Sequence, residues 1–367
     1  MDAMGEPQPV LDPLTPAAIF LVATIDEGGE AAVRQLLGEV DELRKSVGFR
    51  APGQGLSCVT SIGSSGWDRL FAGPRPAELH EFPGYRGAVH SCPATPGDLL
   101  FHIRSETTGT CYELAMAIAT RLRGAVTFVD ETSGFRYFEQ RDLLGFVDGT
   151  ANPEGAAAVA SVFVGDEDAD FAGGSYVIVQ KYVHPLDQWN ALPVEEQERV
   201  IGRTKLSDYE LPDDVKPPNS HVTINTIIDL DGTERDVLRA NMPFGTVGDG
   251  QLGTYYIAYC ATPSVTERML ERMFLGTDDA AYDRILDFST AITGTLFFTP
   301  AADFFDDLPD APAGAEDGPQ VTVPEFEPVI EANAAAEKAA ATTTATGRTG
   351  AVSDGSLAIG TMKRSIQ

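Results

Sequence analysis

Sulfur, imidazole and positive charge are all scarce in this chain of 367 residues: it has four cysteines, five histidines, two tryptophans, and 26 Lys and Arg against 55 Asp and Glu. The net charge of −29 excludes a phosphate-binding surface for nucleic acid, because such a surface needs clustered cations that displace counterions. Cys58, Cys92, Cys111 and Cys260 stand far apart, with no CxxC or CxxCH. That spacing provides neither a disulfide framework, nor a zinc ribbon, nor a thioether anchor for a prosthetic group. HExxH and HxxxH pairs are missing, which argues against a zinc protease. No apolar run reaches the length of a membrane span, and MDAMGEPQPVLDPLTP has neither a basic n-region with an apolar core nor a twin arginine. A cytoplasmic protein with reduced thiols, no nucleic-acid partner and no membrane partner is expected.

What is present is a globular composition, 43% hydrophobic with 36 glycines, in a chain long enough for two domains. AAIFLVATID (17–26) reads as a buried strand. In the next stretch Val33, Leu36, Leu37, Val40 and Leu43 fall on one helical face. LSCVTSIG and DLLFHIRSE read as strands, TCYELAMAIATRLRG as a helix and AVTFVDETSGFRYF as an extended hairpin. A like order follows: SYVIVQKYVH as strand, PVEEQERVIG as helix, HVTINTI as an extended run, LGTYYIAYCAT as strand, and SVTERMLERMFL and AAYDRILDFSTAITG as helices. The parallel order, without a residue-level repeat, predicts a duplicated α+β unit. From about Asp306 the chain turns rich in Pro, Ala, Thr and acids, a composition too poor in apolar side chains to offset chain entropy, so a flexible linker is expected over 306–353.

The stretch RDLLGFVDGTANP (141–153) is the first candidate site. An apolar pentad, Leu143 to Val147, delivers one carboxylate, Asp148, onto a Gly-Thr turn. The plainer reading is a turn aspartate, since Asp-Gly tolerates positive φ. The functional one is an acid held in a dry pocket, with a proton affinity set by burial and neighbouring charge. In ERDVLRANMPFG (234–245) an extended backbone would put Arg239 and Asn241 on one face, a donor pair suited to a developing oxyanion. Among His80, His90, His102, His184 and His221 sequence physics makes no choice. His221, in NSHVTIN, would alternate with Thr223 and Asn225 on a face compatible with a cleft. FGTVGDGQLG (244–253) runs into a strand rather than a helix, so it is not a dinucleotide loop.

Taken together, GFVDGTANP, IGRTK, SHVTIN, VLRANMPFG, GTYYIAYCAT and RILDFSTAITGTLFF, in that order, resemble a bacterial dye-decolorising peroxidase of the B-type, over about residues 16–300. The resemblance implies two ferredoxin-like halves with antiparallel sheets, 16–150 and 151–305, after an N-terminal arm, 1–15. It implies haem b held without a covalent bond between elements of the second half and the distal loop, and reduction of hydrogen peroxide at the expense of dyes, phenols or other aromatic donors. It makes His221 the proximal iron ligand, Asp148, Arg239 and Asn241 the distal group, Asp283 the acidic partner of His221 with Asp287 its rival, and Arg203 a partner for a haem propionate. Arg239 would hold Asp148 ionised, Asn241 would orient peroxide or water, and Trp67, Trp189, Tyr255 and Tyr256 are candidates for relaying electrons to the surface.

The last residues, SDGSLAIGTMKRS, regain Leu357, Ile359 and Met362 after the polar linker. They resemble the cargo-loading peptide of encapsulin nanocompartments, which implies an encapsulin shell protein as partner of residues 354–367. An alternating Leu-x-Ile segment can lie extended in an apolar groove, and the 306–353 linker would give a reach of roughly 35–40 Å. A homo-oligomer is also expected. Two other readings stand beside this one: a haem-binding or iron-release protein without a peroxidase role, and a cofactor-free α+β binding module in which Asp148 is only a turn.

Overall fold

The computed structural model describes residues 5–248 and 251–313. The linker beyond residue 313 and the 354–367 segment lie outside the described residues.

Ala17–Ile25 is buried along nearly its whole length and is paired on both sides, antiparallel to Leu99–Ser105 and to Val126–Phe135. Ser57–Gly63 continues the sheet beyond Leu99–Ser105. In chain order the sheet therefore reads second, third, first, fourth strand, with the helices Glu30–Arg50 and Thr108–Arg121 as crossovers. The second half repeats that order with Leu238–Arg239 and Met242–Thr246, then Gln251–Cys260, Ser175–Val183 and Thr295–Thr299. Both halves thus have the ferredoxin-like arrangement expected from the sequence. Their sheets are not separate, however. Phe297 and Phe298 pair with Gly63 and Ile62, and one ten-stranded sheet runs through both halves.

The helix Glu30–Arg50 buries Val33, Leu36, Leu37, Val40, Leu43 and Val47. Each such burial contributes roughly 1.5–3 kcal/mol, which outweighs any propensity difference along the helix. The other face of the sheet carries a second cluster, with Phe20, Val59, Leu100, Val177, Tyr255, Tyr259 and Phe297 fully or almost fully buried. The sheet curls round this cluster, so that Val126–Phe135 approaches Met242–Thr246. Gly134 is required there, because a Cβ would lie 2.6 Å from that of Met242. The curl is also tied by Lys181, whose ammonium is 3.1 Å from Asp130 and lies over the Phe244 ring. The arm residue Gln8 is buried across the seam, with its amide donating to both Thr60 O and Pro300 O at 2.8 Å.

Three expectations from the sequence are corrected. AVTFVDETSGFRYF is not a hairpin: Val126–Phe135 is one strand, and its Ser-Gly pair serves the close approach to Met242 rather than a turn. HVTIN is a helix, His221–Asn225, not an extended run. β-Branched Val222, Thr223 and Ile224 disguise it, but Ser220 caps its start, and Arg272 donates to Thr226 O at 2.7 Å and Thr223 O at 3.3 Å at its end. AAYDRILDFSTAITG forms only the short 3-10 turn Arg284–Asp287 and the strand Thr290–Ala291, because Asp283 caps Ile285 N at 3.0 Å and the β-branched residues then pair with Ser175–Val183.

One asymmetry between the halves positions the site. The first crossover of the first half is a single 21-residue helix. Its counterpart in the second half is broken into Leu186–Asn190, Val194–Ile201 and His221–Asn225, joined by loops. A cavity opens beside these short helices.

Candidate active site

The cavity is open to solvent, and together with the solvent at its mouth it spans about 1500 Å³. Leu144, Phe146, Ile201, Met269, Met273 and Ile285 give it apolar walls, while Asp148, Arg203, His221, Arg239 and Asn241 all line it. The sequence candidates from four separate segments therefore meet in one place.

His221 is held from behind. Its Nδ1 lies 2.7 Å from Oδ2 of Asp283, a carboxylate with no solvent exposure. Asp283 has a second anchor, the Ile285 N–H at 3.0 Å on Oδ1. Because the helix places residues four apart on one face, Asn225 reaches back to donate to His221 O at 2.8 Å and to Asp283 Oδ2 at 3.2 Å. A carboxylate only accepts, so Nδ1 carries the proton and Nε2 presents its lone pair with no partner among the described residues. The rival Asp287 is excluded as partner, since it lies 3.1 Å from His90.

The other histidines are differently employed. His80 bonds Glu78 O and Glu267, both at 2.7 Å. His102 is buried in the first half, stacked on Phe20 and 3.0 Å from Tyr259 Oη. His184 lines the cavity too, but both its nitrogens are engaged at 2.9 Å, by Thr254 Oγ1 and Ser289 Oγ, and burial pushes its pKa down to about 4, so it is neutral. His221 alone of the five offers a bare nitrogen to the cavity.

The acidic turn is built by local pairing. Arg141 bridges Val147, Leu144 and Phe146 are buried against Trp189, and Asp148 N donates to Gln140 O at 2.9 Å. Gly149 then takes φ +82°, which lets the chain reverse. Asn152 clamps Arg239 from this turn: its amide donates to Arg239 O at 2.8 Å and its carbonyl accepts from Arg239 N at 3.0 Å. Asn241 is fixed by the Ile257 N–H at 3.0 Å, so that its NH₂ faces both Asp148 oxygens at 3.2 and 3.0 Å. Here chemistry settles the amide orientation, because a backbone N–H needs an acceptor and a carboxylate needs a donor.

The expected Arg239–Asp148 ion pair is not formed. Among the described residues Arg239 makes no salt bridge, and its Nε is buried without a hydrogen-bond partner. A buried guanidinium nitrogen left bare at a cavity wall marks a place for an anionic or electron-rich ligand. Asn241, instead of Arg239, holds the carboxylate. Arg203 lines the cavity but is partly committed, with Nε 2.8 Å from Asp208 Oδ1 and Nη1 3.7 Å from Glu210. Trp67, Trp189 and Tyr255 are buried core side chains rather than surface relays, whereas Tyr256 lines the cavity.

Asn152 went unread in the sequence, because it stands before proline and reads as a stop. Strand alternation puts Asn225 on the face of His221; it does lie beside His221, but through the i, i+4 spacing of a helix.

Two family models cover most of the chain: "Dyp-type peroxidase, N-terminal" over residues 7–136 and "Dyp-type peroxidase, C-terminal" over 139–304. The chain is a member of the Dyp-type peroxidase family. The dye-decolorizing peroxidase of Rhodococcus erythropolis is 56% identical over 98% of each chain. That of Mycobacterium tuberculosis is 60% identical over 84% of this chain and 92% of its own. Among solved structures, the encapsulated DyP-type peroxidase from Mycobacterium smegmatis is similar with a TM-score of 0.83 and 62% identity, covering 84% of this chain and 100% of that one. A Rhodococcus jostii DypB variant in complex with heme is similar with a TM-score of 0.81 and 54% identity, over 84% and 100%. The peroxidase halves meet, in the family models, between residues 136 and 139, beside the turn that carries Asp148. No helix among the described residues is long and apolar enough to cross a membrane.

Proposed function

We propose that this Dyp-type peroxidase binds haem b without a covalent bond in the cavity, with His221 Nε2 on the iron and Asp148, Asn241 and Arg239 serving the peroxide. The observation that carries the reading is that one cavity is lined both by an imidazole whose Nδ1 is locked by a buried carboxylate and by an acid–amide–guanidinium group. The residues fit the group: the walls are mostly apolar, Nε2 is bare, and the orphaned Arg239 Nε awaits an electron-rich partner. Haem seen in similar family structures supports the same reading. Arg203 would meet a haem carboxylate at the expense of its hold on Glu210, its longer contact.

Haem when bound supplies the redox centre that takes two oxidising equivalents from peroxide and delivers them one at a time to aromatic donors. The chain supplies the rest. An Asp148 oxygen accepts a proton from peroxide and returns it to the departing oxygen, the transfer that heterolysis of the O–O bond requires. Asn241 keeps that carboxylate in one orientation, so no reorganisation is needed at the moment of transfer. Arg239 offsets the negative charge that develops as the bond lengthens. Asp283, by accepting the Nδ1 proton, makes the imidazole a stronger electron donor and fixes its plane. Purified protein supplied with haem is expected to oxidise an anthraquinone dye only in the presence of peroxide. Haem-loaded protein that leaves the dye untouched would refute the reading.

The domain scheme follows: an arm (1–15), halves 16–150 and 151–305, a segment 306–353 whose first residues are not free but held to the first half, Pro309 O by Arg34 and Asp310 O by Ala72 N, both at 2.7 Å, and a docking segment 354–367 for an encapsulin shell in the cytoplasm. The encapsulated relative supports the packaging, as do the apolar side chains that return at the end of a polar tail. Deleting 354–367 is expected to abolish co-purification with the shell protein and to leave dye oxidation unchanged. Continued encapsulation of the shortened chain would count against it.

A further inference from the structure

The loop 203–210 grips both ends of the segment 141–150. At the start of the segment, Arg141 donates to Lys205 O at 2.6 Å and to Leu206 O at 3.1 Å. At its end, Thr150 Oγ1 donates to Asp208 Oδ2 at 2.6 Å. The other carboxylate oxygen of Asp208 is taken by Arg203, whose Nε lies 2.8 Å from Oδ1. The main-chain O of Asp208 accepts from Nη2 of the same guanidinium, also at 2.8 Å. Asp208 makes these contacts with φ +55°, a left-handed conformation that costs Asp and Asn less than other residues with a side chain. One aspartate thus joins the turn of Asp148 to an arginine that lines the cavity.

The join matters because of Gly149. With φ +82° and no side chain, this residue is a loose joint directly after Asp148. Before the joint, Asp148 is anchored by its own N–H on Gln140 O. Beyond it, the chain is held by two side chains that reach different segments: Asn152 grips the main chain of Arg239, and Thr150 grips Asp208. Thr150 is exposed, and a hydrogen bond in open water contributes little. Here, however, the carboxylate is 18% exposed and its arginine partner 19%, so water competes poorly for a bond that is also charge-assisted. A displacement of the acid by about 1 Å costs up to about 100-fold in rate, so the anchor bears on the proton transfer.

We propose that Asp208 is a positioning residue for Asp148: it fixes the acidic turn through Thr150 and is itself fixed by Arg203. Arg203 Nη1 has only the longer contact to Glu210, at 3.7 Å, so the guanidinium can meet a haem carboxylate without releasing Asp208. The seat of the cofactor and the acid that serves the peroxide thereby share one anchor. The catalytic consequence rests on the peroxidase reading, whereas the clasp itself does not. The bland alternative is that Asp208 closes only its own loop, through Arg203 and through its N–H on Thr204 O at 3.1 Å, with Thr150 a bystander.

Three variants separate the two. Thr150→Val removes the hydroxyl and keeps the shape, Thr150→Ser keeps the hydroxyl, and Asp208→Gly removes the carboxylate while tolerating the positive φ. In haem-free protein, hydrogen–deuterium exchange at the Asp148 amide, read by NMR, is expected to be about tenfold faster in Thr150→Val and Asp208→Gly and unchanged in Thr150→Ser. In haem-loaded protein, stopped-flow mixing with peroxide is expected to show a step about tenfold slower in Thr150→Val and Asp208→Gly. The double variant is expected to be no slower than the slower single one, because both cut the same link. Thr150→Ser stays within a factor of two of wild type, and Thr150→Val leaves the KM for donors unmoved. A peroxide step in Thr150→Val within a factor of two of wild type overturns the proposal, and so does wild-type exchange at the Asp148 amide in that variant. Should Asp208→Gly fail to fold, the Thr150 variants, at an exposed position, decide alone. Protein that takes up no haem refutes the peroxidase reading instead, and the exchange arm still decides on the clasp.

Discussion

Asp148→Asn leaves haem bound and slows the reaction with peroxide by roughly 10²–10⁴-fold, the range that a positioned acid–base group contributes. The amide keeps the shape of the carboxylate but cannot accept the peroxide proton, and its NH₂ would face that of Asn241, which now meets the carboxylate at 3.0 and 3.2 Å. Arg239→Leu acts on charge rather than on the proton, and slows the same step by roughly 10²–10³-fold. Because Asn241 rather than Arg239 is bonded to Asp148, the two losses arise from different interactions with the ligand. The double variant is therefore expected to be slower than either single one. Stopped-flow mixing with peroxide reads all three. Rates in both single variants within a factor of two of wild type would refute the assignment of this group to the peroxide.

His221→Ala removes the one imidazole nitrogen that faces the cavity unpaired. The four other histidines offer no substitute, since His184 has both nitrogens engaged and His80, His90 and His102 do not line the cavity. The variant is expected to lose the histidine-ligated iron spectrum, with haem affinity reduced at least 100-fold. It is also expected to recover ligation when free imidazole is added, because deletion of the ring leaves room beside a still-buried Asp283. Unchanged iron coordination in His221→Ala, without added imidazole, would contradict the proximal assignment.

Much of the scaffold is legible in the sequence because burial writes a local pattern. Ala17–Ile25 is apolar throughout since it is covered on both faces, and the Val33–Leu43 set repeats at helical spacing since only one face of that helix is buried. Patterns fail where a distant contact decides. Val222-Thr223-Ile224 prefers a strand by propensity, yet it is helical because Ser220 and Arg272, the latter from another helix, satisfy its ends. Gly134 reads as a turn because nothing local announces Met242.

The site divides in the same way. Asp148, Arg239 and Asn241 are visible as polar groups set among apolar neighbours, and the structure brings them with His221, Asp283 and Arg203 around or beside one cavity. Which of them touch was not visible. The sequence reading paired Arg239 with Asp148, but 93 residues separate Asp148 from Asn241, and no spacing rule foretells that the amide takes that place. Asn152 works through main-chain atoms of another segment, and Asn225 through His221 O in its own helix and the side chain of the distant Asp283, so neither contact is announced by a local apolar pattern.

Titration of haem into the purified, haem-free protein tests the central claim most directly. A cavity with His221 Nε2 bare predicts saturation at one haem per chain, with the absorption of an iron porphyrin bound by a single imidazole, and a rapid spectral change on adding one equivalent of peroxide. Protein that stays colourless after excess haem is removed would contradict it.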